Sequence, residues 1–123
     1  MDEELLKILD ALSNIRCSAA CTEEELHMQV AHSLEQAGID AIHEAVIGAR
    51  CRIDFLTGDI GIEIKKNRPD KDKLIAQLTR YAACDRVEQI IVVAPRGVNL
   101  PRRIAGKKIT MLALERLWGI CLP

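Results

Sequence analysis

Residues 51–66 read CRIDFLTGDIGIEIKK. Two runs rich in β-branched and apolar residues, Cys51–Leu56 and Ile60–Lys66, flank Thr57-Gly58-Asp59. Such runs suit pleated strands, and a Gly-Asp pair suits the tight turn of a hairpin. Successive side chains on a strand point to opposite faces. Ile53 and Phe55 are therefore expected on one side of the first strand and Asp54 on the other. On the return strand Ile60, Ile62 and Ile64 make an apolar side, and Gly61, Glu63 and Lys65 a polar one. The hairpin brings Asp54, Glu63 and Lys65 to one face.

Outward from this hairpin the pattern extends both ways. Ile42–Ile47 predicts a preceding strand, turned at Gly48-Ala49. Thr22 and Glu25 have the spacing of a capping box, and Leu26, Val30, Leu34 and Ala37 line one helical face up to Gly38. Downstream, Asn67-Arg68-Pro69-Asp70 breaks the strand and opens a helix to about Cys84, with Leu74, Leu78 and Tyr81 on one face. Residues 88–94, EQIIVVA, form an apolar run of strand length, as expected of a strand buried on both faces. Leu100–Ala105 predicts a short helix, Lys108–Leu112 a strand, and the region around Trp118 a terminal helix. The fold class is α/β, with a mixed central sheet flanked by helices and an αβββαβ order from Thr22 onward. Two segments follow: residues 1–21, an amphipathic helix over 2–15 with its connector, and residues 22–123, the main domain.

Composition narrows the function. The chain has 123 residues, enough for one domain with a real core. Phe55, Tyr81 and Trp118 are its only aromatics, which argues against single-strand binding by base stacking. Residues 1–49 hold two basic and ten acidic groups, net −8; residues 50–123 hold fifteen and eight, net +7. That asymmetry suggests a polyanion-facing surface in the second half. Cys17, Cys21, Cys51, Cys84 and Cys121 complete no zinc-ligand set, so buried, inert thiols in a reducing cytoplasm are expected. No apolar run reaches the ~18 residues that span a bilayer, and no membrane association is expected.

Two carboxylates and an ammonium on one face suit a hard divalent cation, which takes oxygen ligands and keeps waters. Asp54, Glu63 and the main-chain carbonyl of Ile64 supply three such ligands, and Lys65 can steady an attacking water. A half-exposed strand also alternates charges with isoleucines, but it has no need of a matched acid on its hairpin partner.

Together Arg52-Ile53-Asp54-Phe55, Glu63-Ile64-Lys65 and Gln77-Leu78-Thr79-Arg80-Tyr81 resemble the PD-(D/E)XK nuclease superfamily. The likeness runs from Thr22 to about Val93. The Gln77…Tyr81 pair is similar to the QxxxY motif of the RecB-like and phage-exonuclease branch; a small Holliday-junction-resolvase-like nuclease is the other subgroup it resembles. The resemblance implies a restriction-endonuclease-like core and Mg²⁺- or Mn²⁺-dependent hydrolysis of DNA phosphodiesters, expected to be endonucleolytic. It implies that Asp54 and Glu63 bind metal, that Lys65 assists the water, and that Gln77 and Tyr81 approach the site from the following helix. It also implies a further glutamate on the first core helix. Glu23, Glu24 and Glu25 compete for that place, and Glu23 is expected there because it aligns with Leu26, Val30 and Leu34. The proline that often precedes the aspartate is Ile53 here.

Lys66, Arg68, Lys71, Lys73 and Arg80 flank the site and are expected to contact phosphates. His27, one turn after Glu23, could touch the site, although a lone histidine on a helix surface is more often merely polar; Glu44 could be a supporting acid, although an edge-strand charge explains it better. The rival functions are a nuclease-fold DNA binder without turnover and a protein-interaction domain. A homodimer would give each strand of a duplex its own site. The leucine stripe of helix 2–15 could join two copies or pack on its own domain.

Overall fold

The computed structural model describes residues 2–16 and 21–115; the expected helix around Trp118 lies outside them. The chain begins with α1 (Glu3–Leu12), where the Asp2 carboxylate accepts the Leu5 N–H at 3.0 Å and caps the helix. In α2 (Glu23–Gln36), Thr22 Oγ1 accepts the Glu25 N–H at 3.1 Å and Glu25 Oε1 accepts the Thr22 N–H at 2.9 Å. Gly38, at φ +71°, ends it, and the Ile39 N–H donates back to the Leu34 carbonyl at 2.9 Å. Then follow β1 (Ile42–Gly48), β2 (Cys51–Thr57), β3 (Ile60–Ile64), α3 (Lys71–Ala82), β4 (Gln89–Ala94), β5 (Arg103–Ile104) and β6 (Lys107–Ala113).

The strands form one mixed sheet in the order β1-β2-β3-β4-β6-β5. β1 pairs antiparallel with β2 and β2 with β3; β3, β4 and β6 are parallel, and β5 is antiparallel to β6. The crossover between β3 and β4 is α3, as a parallel pair requires. Helices cover both faces. Leu26, Val30 and Leu34 of α2 pack with Phe55, Ile62, Ile64 and Ile91 on one side, and Leu74, Leu78 and Tyr81 of α3 with Ile53, Leu56, Ile90 and Val92 on the other. The β4 run is buried on both faces for this reason.

Leu5, Ile8 and Leu12 of α1 belong to the same core as α2. That leucine stripe packs on its own domain, against α2, while Leu6 stays half exposed. No helix among the described residues is long and apolar enough to cross a membrane.

Three expectations need correction. Leu100–Ala105 contains no helix: Arg103–Ile104 is a short strand, turned into β6 by Ala105 (φ +50°) and Gly106 (φ +80°). A two-residue turn with both φ positive matches the twist of a hairpin. Secondly, β3 ends at Ile64 rather than at Lys66, and the side that carries Gly61 and Glu63 lies under α3. Gly61 lies beneath Ile53, whose Cδ1 would meet an added Cβ at 2.5 Å, and Glu63 is only 5% exposed. The expected polar face is covered by α3. Thirdly, Cys21 is in a disulfide, so the cysteines are not uniformly inert thiols, whereas Cys51 and Cys84 are free.

Candidate active site

Asp54 stands where β2 and β3 part. The strands pair through Thr57–Ile60, Leu56–Gly61 and Phe55–Ile62, so Asp54 and Glu63 come next in register. There the backbone ladder stops. Asp54 Oδ2 accepts the Ile64 N–H at 2.7 Å in place of a main-chain carbonyl. The carbonyl of a strand residue leaves on the same edge as its N–H, so that of Ile64 also faces the opening between the strands.

The regular alternation expected of β2 fails at this residue. Ile53 lies in the core beneath α3, whereas Phe55 lies in the core beneath α2, on the opposite face. A matching break occurs in β1. His43 pairs with Phe55 and Ala45 with Ile53, and between them Glu44 adopts φ +51°. A non-glycine residue in the left-handed region is uncommon inside a strand and carries strain. The two breaks face each other across the hairpin and turn Glu44 and Asp54 toward α2.

On that side His27 meets them. Its Nε2 is 3.7 Å from Asp54 Oδ2, and its ring stands 6.0 Å from that of Phe55. One ligand atom from each of His27, Glu44 and Asp54 lies within 4.8 Å of the others. Two carboxylates and an imidazole converging in this way are a donor set suited to a divalent cation.

Glu63 approaches from the α3 side. Its Oε2 is 3.3 Å from Lys65 Nζ, and its Oε1 is 3.1 Å from the Tyr81 hydroxyl. Tyr81 can also donate to the Arg52 carbonyl at 3.0 Å, and it accepts from Gln77 Nε2 at 2.9 Å. Gln77 and Tyr81 meet in this way because a spacing of four puts them on one helical face. The expected set Asp54, Glu63, Lys65, Gln77 and Tyr81 is thus brought together.

Burial shapes the charges here. It pushes the Glu63 carboxyl up to about 7; the neighbouring Asp54 charge adds to the rise, and Lys65 and Tyr81 oppose it. Asp54 is raised mainly by burial, against the Ile64 N–H and His27. The Tyr81 hydroxyl is raised by burial and by Glu63, so it remains a donor at any ordinary pH. Two acids that resist joint ionisation are relieved by a cation between them.

Glu23 is not turned toward the sheet as expected. Its side chain is 57% exposed and its Oε2 lies 3.9 Å from His27 Nε2. The residue one turn further on, His27, takes the inward place, because Glu23 is the first residue of α2 and stands at its solvent-facing end. Glu24 and Glu25 are exposed too, and Glu25 is held in the capping box. His27 and Glu44, set aside in the residue pattern as a surface histidine and an edge-strand charge, stand with Asp54 in one donor group. The signal for His27 was its helical alignment with Glu23; the positive φ at Glu44 left no mark in the residue pattern.

The five flanking bases Lys66, Arg68, Lys71, Lys73 and Arg80 are exposed. Among the described residues none of them forms an ion pair within 4.0 Å. Lys73, Gln77 and Arg80 line a groove of about 320 Å³ that Lys65 also enters. Lys66, Arg68 and Lys71 are not among its lining residues. Compared with protein-family models, curated proteins and solved structures, the chain matches none.

Proposed function

We propose that this chain is a metal-dependent nuclease of the PD-(D/E)XK kind, hydrolysing DNA phosphodiesters endonucleolytically. The observation that carries the reading is Glu63, a buried carboxyl next in register to Asp54 and contacted by both Lys65 and Tyr81. A strand acid serving only solubility has no reason to be buried at 5% exposure among a lysine, a tyrosine and a second acid. The α-β-β-β-α-β order from Glu23 to Ala94 supports the restriction-endonuclease-like core implied by the resemblance.

In this reading Asp54, Glu63 and the Ile64 carbonyl hold Mg²⁺ or Mn²⁺, with His27 and Glu44 as further donors and Glu23 acting through His27. When bound, the cation polarises the phosphoryl oxygens and acidifies a water. Lys65 orients that water and offsets developing negative charge. Tyr81, held by Gln77, fixes the Glu63 carboxylate. Lys73 and Arg80 take phosphates along the groove beside Lys65, and Lys66, Arg68 and Lys71 extend that contact at the rim. A DNA binder without turnover is the weaker reading, because acids facing a polyanion oppose binding unless a cation lies between.

The test is cleavage of plasmid, single-stranded and branched DNA in Mg²⁺ or Mn²⁺. Wild-type protein should cut at least one substrate, and Asp54→Ala and Lys65→Ala should not. Equal residual cleavage by all three proteins would refute the assignment.

A further inference from the structure

Gly48 closes β1 directly beneath two sulfur-bearing side chains. A Cβ placed on it would stand 2.8 Å from Cys84 Sγ and 3.8 Å from Cys51 Cβ. Gly48 and Cys51 are also paired in register across β1 and β2. The Cys51 and Cys84 side chains meet over Gly48, and the Cys84 thiol donates to the Arg80 carbonyl at 3.5 Å. Both are free thiols, Cys51 buried and Cys84 half-buried. The pair therefore combines one sulfur that solvent can reach with one held behind it, and the absence of a side chain at Gly48 leaves room for both. Two sulfurs alone do not complete a zinc site.

We propose that Cys51 and Cys84 are a redox-active dithiol that hydroperoxides close to an intrachain disulfide. The half-exposed Cys84 sulfur attacks the peroxide oxygen, becoming a sulfenic acid as the O–O bond breaks. The Cys51 sulfur then displaces that hydroxyl as water. In sum, two thiols and one hydrogen peroxide give one disulfide and two waters, with both electrons passing to the peroxide. Burial and the neighbouring Cys84 hold the Cys51 thiol above its ordinary range, against Arg80, which suits Cys51 to resolving the sulfenic acid rather than to attacking the peroxide.

The crosslink would tie together two elements that already meet at the candidate site. Arg52, next to Cys51, offers its carbonyl to the Tyr81 hydroxyl at 3.0 Å. Cys84 follows Tyr81 at the end of α3, its N–H bonded to the Tyr81 carbonyl at 3.0 Å. The disulfide would fasten the end of α3 to the start of β2, beside the bond that aims Tyr81 at Glu63. The proposal stands whether or not the chain cuts DNA.

The experiment uses the full chain, prereduced, then treated with stoichiometric hydrogen peroxide in native buffer. Remaining thiols are alkylated, and tryptic peptides are read by mass spectrometry without reduction. The expected product joins residues 51–52 to residues 81–86, two hydrogens lighter than the separate peptides and released by dithiothreitol. Cys51→Ser should leave Cys84 as a sulfenic acid that dimedone traps, and Cys84→Ser should leave Cys51 alkylatable after unfolding. The proposal fails if Cys51 stays a thiol while Cys84 advances to the sulfinic acid. It fails equally if the linked peptide forms only in denaturant, a result that needs no variant to fold.

Discussion

The Tyr81 hydroxyl on α3 stands 3.1 Å from Glu63 Oε1 on β3, and 3.0 Å from the Arg52 carbonyl on β2. One phenol therefore spans the point where the two strands part. Tyr81→Phe removes its oxygen and leaves Gln77, Glu63 and the Arg52 carbonyl each short of a partner. Unfolding in urea should show a loss of about 1–3 kcal/mol. The loss of a donor to the charged form should also move the Glu63 carboxyl titration upward, as followed by carbon NMR. If neither quantity changes, Tyr81 does not hold Glu63 in place.

Metal-free stability should fall as pH rises through the neutral range. The Glu63 carboxyl is at about 7 in the folded chain against 4.5 when exposed. The folded state thus binds the proton more tightly than the unfolded one. The resulting stability is complete below about pH 4.5 and is lost as pH climbs through about 7. At roughly 1.4 kcal/mol per unit the change is about 3 kcal/mol. Asp54 is shifted in the same direction. Urea midpoints in EDTA from about pH 4 to 8 should show the decline, and Glu63→Gln should flatten most of it. A curve unaffected by Glu63→Gln would mean that this carboxyl is not the group responsible.

What the residue pattern disclosed was local. The capping box at Thr22 and Glu25, the turn at Gly58 and the buried run of β4 each depend on neighbours in sequence or on simple periodicity, and all are present. Hairpin register set Asp54 level with Glu63, and a spacing of two set Lys65 beside Glu63, but the expectation that all three share one face did not hold, since Asp54 turns toward α2 and Glu63 toward α3. Side-chain direction at Asp54 was not legible. Alternation assumes an unbroken pleat, and the breaks at Glu44 and Asp54 depend on how two strands fit between α2 and α3. The covering of Glu63 by Tyr81 likewise depends on where α3 docks. His27 displaced Glu23 because a helical wheel gives direction around the axis but not how far the helix extends past the sheet.

Glu44 sits at φ +51° inside a strand. Left-handed backbone costs a residue with a Cβ about 1–2 kcal/mol, while glycine adopts it freely but loses more entropy on folding. Glu44→Gly should therefore leave metal-free stability unchanged or raise it by up to about 1 kcal/mol. The same change removes a carboxylate from the group with His27 and Asp54, so divalent-cation affinity should fall. Paired urea and calorimetric titrations would measure both. A destabilised Glu44→Gly protein with unaltered cation binding would show that this conformation serves packing rather than ligation.

His27 gives the last prediction, which concerns the choice of cation. Oxygen donors alone accept Mg²⁺, but an imidazole favours first-row transition ions, in which Mn²⁺ is the mildest step. With His27 Nε2 3.7 Å from Asp54 Oδ2, wild-type protein should bind Mn²⁺ more tightly than Mg²⁺. His27→Ala should weaken Mn²⁺ binding by about tenfold or more while changing Mg²⁺ much less. Calorimetric titration with each ion separates this from a packing role, in which truncation beside Phe55 would lower both affinities together through a disturbed α2. Equal losses for the two ions would remove His27 from the ligand set and leave the oxygen donors to hold the cation.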